Sequence, residues 1–247
     1  MKNLKQLLLL ISIIAPLYAD APRLLIKIPT RSRPTKFFQA LDAHYERLSG
    51  EVPYHFLITL DADDPVMNKP EVIETLKKYP HLTFSFSINT TKVAAYNRDL
   101  HRDLPFDILL LSSDDMIPCV DGFDKIIVDM MLETFPDFDG VLNFHDGVVG
   151  GVLNTYPIIG KKFFDRFGYA YYPGYSSLFC DEELTLISRM LGKEKISEKI
   201  IIRHMHPSHG LTKWDDLYVR NEGFHHVDGD LFRARKARSF DMQVNNG

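Results

Sequence analysis

Cysteine is nearly absent. The 247-residue chain has two, Cys119 and Cys180, and a single tryptophan, Trp214. Two cysteines cannot build a disulfide-dense scaffold, so an apolar core must hold the fold. If the chain is exported, the pair is open to two readings, one disulfide or two separate buried thiols. A glycine-rich phosphate loop, of either the dinucleotide or the Walker kind, is also missing. Phosphate charge would then have to be met by a divalent cation and by Lys or Arg. There is no concentrated basic stripe, and the net charge is -4; both argue against a dedicated nucleic-acid binder. The one basic cluster, Arg233, Arg235, Lys236 and Arg238, reads as a solvated tail or a lipid or acceptor contact. Internal repeats and low-complexity segments are absent too.

No apolar run is long enough for a comfortable membrane span. The longest candidate, Leu7 to Ile14, follows Lys2 and Lys5 and precedes Pro16 and Ala19. That is the charged, apolar and small-residue order of a secretory signal. Residues 1–19 are therefore read as a signal peptide or an uncleaved anchor. This predicts an exported chain, in a periplasm, a secretory lumen or outside the cell, with membrane association through its N-terminus if the signal stays.

What the chain does have is apolar runs that end in charge. Arg23 to Pro29 and Tyr54 to Leu60 read as strands, the second followed by Asp61, Asp63 and Asp64. Leu82 to Ile88 alternates as a half-buried strand does. Between them, Phe37, Phe38, Leu41, Tyr45 and Leu48 recur at helical spacing after Pro34, and a short helix runs from Pro70 to Tyr79. Asn89 or Thr90 is the expected cap of a helix carrying Val93, Ala94, Asn97 and Leu100. A further helix is predicted over 121–135. Such alternation predicts an α/β fold, a largely parallel sheet flanked by helices.

The run Ile108 to Leu111 has no polar face and stops at Ser112-Ser113-Asp114-Asp115. It reads as a central strand whose carboxyl end, where open α/β sheets bind ligands, carries paired carboxylates suited to a hard cation. The plain alternative is a solvated turn capping the next helix. Beyond Gly140 the pattern weakens. Short strands are expected at 141–144 and 152–159 as antiparallel additions, a helix at 181–191 and a late strand at 199–204. Past His209 the chain is polar, aromatic and poorly periodic. Trp214 and Tyr218 there fit either sugar stacking or the packing of a tail, and Asp146 reads as a loop residue.

These motifs, in this order, resemble a GT-A glycosyltransferase of the family 2 type over residues 24–209. The resemblance rests on Ile28 to Pro34, Asp61 to Asp64, Asn89 to Asn97 with Lys92, Leu111 to Asp115, Cys180 to Leu184, and His204 or His206. It implies a GT-A-like (Rossmann-like), mostly parallel central sheet with a small antiparallel C-terminal addition. Residues 20–209 would form that domain and 210–247 an extension of it. The activity implied is metal-dependent transfer of a sugar from a nucleotide-diphosphate donor, a UDP-sugar first, to a hydroxyl of a glycan, lipid or protein, with inversion. By resemblance, Asp114, Asp115, His204 and His206 would bind Mn2+ or Mg2+. Thr30, Arg31, Arg33, Asp61, Asp63, Lys92, Asn97 and Glu182 would contact substrate, and Asp181 would be the catalytic base. Two positions depart from the family: Ser112 replaces the first Asp of its metal motif, and Cys180 stands where Glu is common. They favour the alternative of a catalytically idle nucleotide- or carbohydrate-binding domain. A nucleotidyltransferase, the other alternative, would normally bring the missing glycine-rich loop.

Overall fold

The computed structural model describes residues 21–88, 90–101 and 104–242. The proposed signal or anchor, and Asn89 as a cap, lie outside the described residues. Seven strands form one sheet in the order β3-β2-β1-β4-β7-β6-β8. They are β1 (Leu24–Thr30), β2 (Tyr54–Asp61), β3 (Leu82–Ser87), β4 (Ile108–Leu111), β6 (Val141–Phe144), β7 (Ile158–Gly160) and β8 (Glu194–Ser197). β1 pairs parallel with both β2 and β4, and β2 with β3. Only β7 runs against its neighbours, while β6 and β8 are parallel to each other. The 141–144 strand is thus antiparallel on one side alone, and the strand expected over 152–159 is only its last part.

Side chains alternate between two cores, as strand geometry requires. Leu24, Ile26 and Ile28 of β1 join Ile108 and Leu110 of β4 on one face. That face is covered by α1 (Pro34–Glu46), α2 (Pro70–Leu76) and α4 (Phe123–Thr134), through Phe37, Leu41, Leu76 and Ile127. Leu25, Leu109 and Leu111 face the other way. There they meet α3 (Lys92–Asn97), α5 (Lys161–Asp165), α6 (Cys180–Met190) and α8 (His225–Ala237), through Val93, Phe163, Leu184 and Phe232. The cap of α3 is Thr91, whose hydroxyl accepts the Ala94 N–H at 3.1 Å, rather than Thr90.

A second, two-stranded antiparallel sheet joins β5 (Met116–Pro118) to β9 (Ile202–His204), with Met116 opposite His204. This is the antiparallel addition, though one of its strands comes from mid-chain. Beyond it the tail is helical: α7 (Asp216–Glu222) and α8. The buried face of α8 is Asp228, Gly229, Phe232 and Arg235, which explains why no apolar period announced it. Arg235 forms a bidentate pair with Glu183 of α6 at 2.8 and 2.8 Å, both side chains 3% exposed. Among the described residues no helix is long and apolar enough to cross a membrane. Both cysteines are free; Cys119 is exposed and Cys180 buried, which disposes of the disulfide reading.

Candidate active site

Because β1, β2 and β4 are parallel, the loops after them open on one rim. The Asp64 carboxylate accepts the Ser32 N–H at 2.6 Å, and Arg31 reaches Asp61 at 2.6 Å and Asp63 at 2.7 Å. The first two loops are thereby stitched together. A cleft of about 280 Å³ opens beside them, close to the lower end of small-molecule sites. Its walls include Thr30, Arg31, Arg33, Asp61, Lys92, Asp114, Asp115, Asp181, His204 and His206. Ten of the thirteen residues given a role by resemblance therefore share one cavity.

Three do not line it. Asp63 is 60% exposed and spent on Arg31. The Asn97 amide accepts the Ala170 and Tyr171 N–H groups at 2.9 and 3.0 Å and donates to the Tyr171 carbonyl at 2.6 Å. It fixes a loop and has little left for a ligand. Glu182 follows Asp181 on α6 and points away, as adjacent helical residues must.

The two carboxylates beyond β4 have different surroundings. Asp114 is held by Arg33 at 3.0 Å, with the Thr30 hydroxyl at 3.4 Å. Burial, and the charge of Asp115 beside it, push its carboxyl above the usual range against the pull of Arg33. Burial also opposes ionisation of Asp115, but there the contacts to His204, Ser113 and Tyr218 outweigh it and hold the carboxyl well below the usual range. Tyr218 donates to Asp115 at 2.8 Å, and His204 Nε2 lies 3.6 Å away.

The β5–β9 ladder sets His204 in that position. Its other ring nitrogen faces Asp146 at 3.7 Å. Burial disfavours the imidazolium, yet the two carboxylates raise its pKa to about 9. His206, by contrast, is lowered to about 4 by burial and by the charge of His204. Asp146 is more than a loop residue: it accepts the Val148 and Val149 N–H groups at 2.8 and 2.6 Å and the Thr155 hydroxyl at 3.0 Å. A carboxylate pinned by so many donors braces the histidine opposite.

Sequence reasoning offered Tyr218 for sugar stacking or the packing of a tail, and missed the ties of Asp215 and Asp228 to the site. Tyr218 is 4% exposed and buried in the site, and Arg33 stacks 3.7 Å from its ring centroid. Asp215 caps α7, accepting the Tyr218 N–H at 3.2 Å, and binds Arg33 at 2.6 Å and Lys36 at 2.9 Å. The pair Asp215-Asp216 ahead of Leu217 and Tyr218 was the available signal for that cap. Asp228 of α8 is fully buried and accepts three successive N–H groups, from Ser176 at 2.9, Ser177 at 2.7 and Leu178 at 2.8 Å. It fixes the turn that leads into Asp181. Ser112, at the departure from the family motif, faces the core, where its hydroxyl meets His44 Nε2 at 3.1 Å.

A divalent cation is tested by its donor set. Among the described residues no group of three or more His, Cys, Asp or Glu side chains is arranged to hold one. Asp115 and His204 are nonetheless close enough to share a cation, at 3.6 Å, since each would sit roughly 2.1 Å from it. Mg2+-type sites usually take one or two carboxylates and complete their shell with substrate phosphates. Toward that pattern the site offers one carboxylate, Asp115, with the His204 imidazole beside it.

No family model matches the sequence, and no curated protein matches it. Among solved structures, the chain is similar to the mannosyltransferase PcManGT from Pyrobaculum calidifontis in complex with GDP-Man and Mn2+. The TM-score is 0.60 at 13% identity, over 77% of this chain and 59% of that one. It is also similar to S. aureus TarS in complex with UDP, with a TM-score of 0.58 at 11% identity over 91% and 74% of the two chains. For TarS in complex with UDP-GlcNAc the values are 0.53 and 10%, over 73% and 58%. The chain thus spans 59% of the mannosyltransferase's length. At such identity the likeness is one of fold, and the fold is the GT-A type.

Proposed function

We propose that the protein is a metal-dependent glycosyltransferase that uses a nucleotide-diphosphate sugar, a UDP-sugar first, and inverts the anomeric centre. One observation carries this reading: Asp114, Asp115, Arg33, His204 and Asp181 line a single cleft at the carboxyl ends of the parallel strands of a GT-A-type sheet. The comparison with proteins bound to GDP-Man, UDP and UDP-GlcNAc supports the donor class.

The residues divide the work. Asp61 and Thr30, at the ends of β2 and β1, would meet the nucleoside. Arg33 and Lys92 carry charge for the phosphates. Asp115 and His204 would hold Mn2+ or Mg2+, whose charge would stabilise the departing diphosphate. Asp181 would accept the proton of the acceptor hydroxyl as that oxygen attacks the anomeric carbon. A single displacement leaves the sugar on the opposite face. The acceptor is a hydroxyl of a glycan, lipid or protein, reached outside the cytosol if residues 1–19 act as an export signal.

Calorimetric titration of UDP and GDP with and without Mn2+, followed by an assay for hydrolysis of UDP-sugars and GDP-mannose, tests the reading. Metal-dependent binding with slow hydrolysis is expected. The absence of nucleotide binding under both conditions refutes it. Binding without turnover favours the idle-domain reading, which the Arg33–Asp114 pair supports because it already neutralises one carboxylate of the site.

A further inference from the structure

Arg33 and Lys36 sit at the start of α1, which has no acidic residue in its first turn. The amino end of a helix is its positive pole and favours anions, so two cations gathered there call for negative partners. Asp114 meets Arg33 Nη1 at 3.0 Å, and the remaining charge calls for a second carboxylate. Asp215 supplies it. One carboxylate oxygen meets Arg33 Nη2 at 2.6 Å and the other meets Lys36 Nζ at 2.9 Å. Arg33 is 9% exposed, and its Nε has no hydrogen-bond partner. A bridging carboxylate over a helix start, two cations and an orphaned guanidinium N–H has the shape of an anion seat filled from within.

We infer that Arg33 and Lys36 form a seat for a diphosphate, and that Asp215 is its internal occupant when no ligand is bound. The inference rests on the glycosyltransferase reading for the source of the diphosphate, but the seat itself would also take free pyrophosphate. On binding, phosphate oxygens replace the Asp215 carboxylate on the two cations and satisfy Arg33 Nε. Asp215 is suited to the exchange, being 34% exposed at its side chain and placed on the loop that opens α7. After transfer its return to Arg33 and Lys36 competes with the product diphosphate and promotes release.

The test is the affinity of inorganic pyrophosphate, UDP, GDP and uridine for four full-length proteins: wild type, Asp215→Asn, Asp216→Asn and Lys36→Gln. Asn caps a helix as well as Asp does, so Asp215→Asn removes the charge and keeps α7. Asp216→Asn makes the same change in net charge at an exposed neighbour. Asp215→Asn is expected to bind pyrophosphate, UDP and GDP about three- to tenfold tighter than wild type. Asp216→Asn should match wild type, Lys36→Gln should bind these ligands several-fold more weakly, and uridine should not distinguish the proteins. Equal affinity in the two Asn variants, or weaker binding by Asp215→Asn, overturns the proposal. If pyrophosphate follows the expected order and neither UDP nor GDP binds, the seat stands and the nucleotide-sugar reading falls. If UDP binds with metal but Asp215→Asn and Lys36→Gln both match wild type, the reading stands and the seat falls.

Discussion

Tyr218 donates its phenolic hydrogen to Asp115, 103 residues earlier in the chain, at 2.8 Å. The bond carries a residue of α7 into the carboxylate pair beyond β4. Asp115 is ionised and buried, so each donor around it offsets part of the cost of holding charge away from water.

Tyr218→Phe keeps the ring on which Arg33 stacks and removes only that donor. The expected loss of stability is about 1.5–3 kcal/mol, the usual range for a hydrogen bond to a charged group. Urea unfolding of the ligand-free protein at neutral pH measures it. An unchanged midpoint would mean that the Asp115 charge is satisfied without the tyrosine.

Asp181→Asn separates binding from chemistry. Asp181 lines the cleft on the first turn of α6, and the amide cannot take a proton. Turnover should fall on the order of a hundredfold or more while UDP affinity stays near wild type. Wild-type turnover would move the base elsewhere.

Asp228→Asn tests the brace behind that residue. An amide presents one accepting oxygen instead of two, so at least one of the Ser176, Ser177 and Leu178 N–H groups loses its partner. About 2 kcal/mol of stability should be lost, and kcat should fall more than KM rises, because the turn leading to Asp181 is loosened while the nucleotide loops are untouched. Steady-state kinetics beside denaturant unfolding reads both.

His44 predicts a specific acid sensitivity. It is fully buried, donates from Nδ1 to the Ala40 carbonyl at 2.7 Å and accepts from Ser112 at Nε2. Burial lowers its pKa to about 4 from an ordinary 6.5. Between those values the unfolded chain binds a proton that the folded chain refuses, so stability falls as pH drops from 6.5 toward 4. This site alone should contribute about 3 kcal/mol to that loss. Unfolding free energies of wild type and His44→Gln, measured from pH 7 to pH 4, should converge as pH falls. Parallel profiles would exclude His44 as the source.

How far the sequence announced this structure depends on where burial is apolar. Ile108 to Leu111 could be placed as a central strand because nothing in it is polar, and Asp114-Asp115 because charge after such a run must lie at a rim. The parallel order of β1, β2 and β4 then brought Thr30, Arg33 and Asp61 to the same edge. The tail resisted reading because Phe232 and Phe240 share its buried positions with Asp228, Arg235 and a hydrogen-bonded tyrosine, which hydropathy counts as surface. Asp146 and Asp215 escaped for a related reason. Their roles lie in partners far away in the chain, and local spacing carries no trace of them.

The Arg33–Asp215 pair joins residues 182 positions apart. On a ribosome the chain appears from its amino end, so Arg33 and the whole β1–β4 ladder are made long before Asp215 and Tyr218. Contacts of such separation close late, since the loop entropy must be met before they contribute. A nascent chain can therefore hold its sheet while its cleft is still open on one side. Recovery of ligand binding during refolding should trail the recovery of sheet signal, and the lag would time the arrival of the last helices.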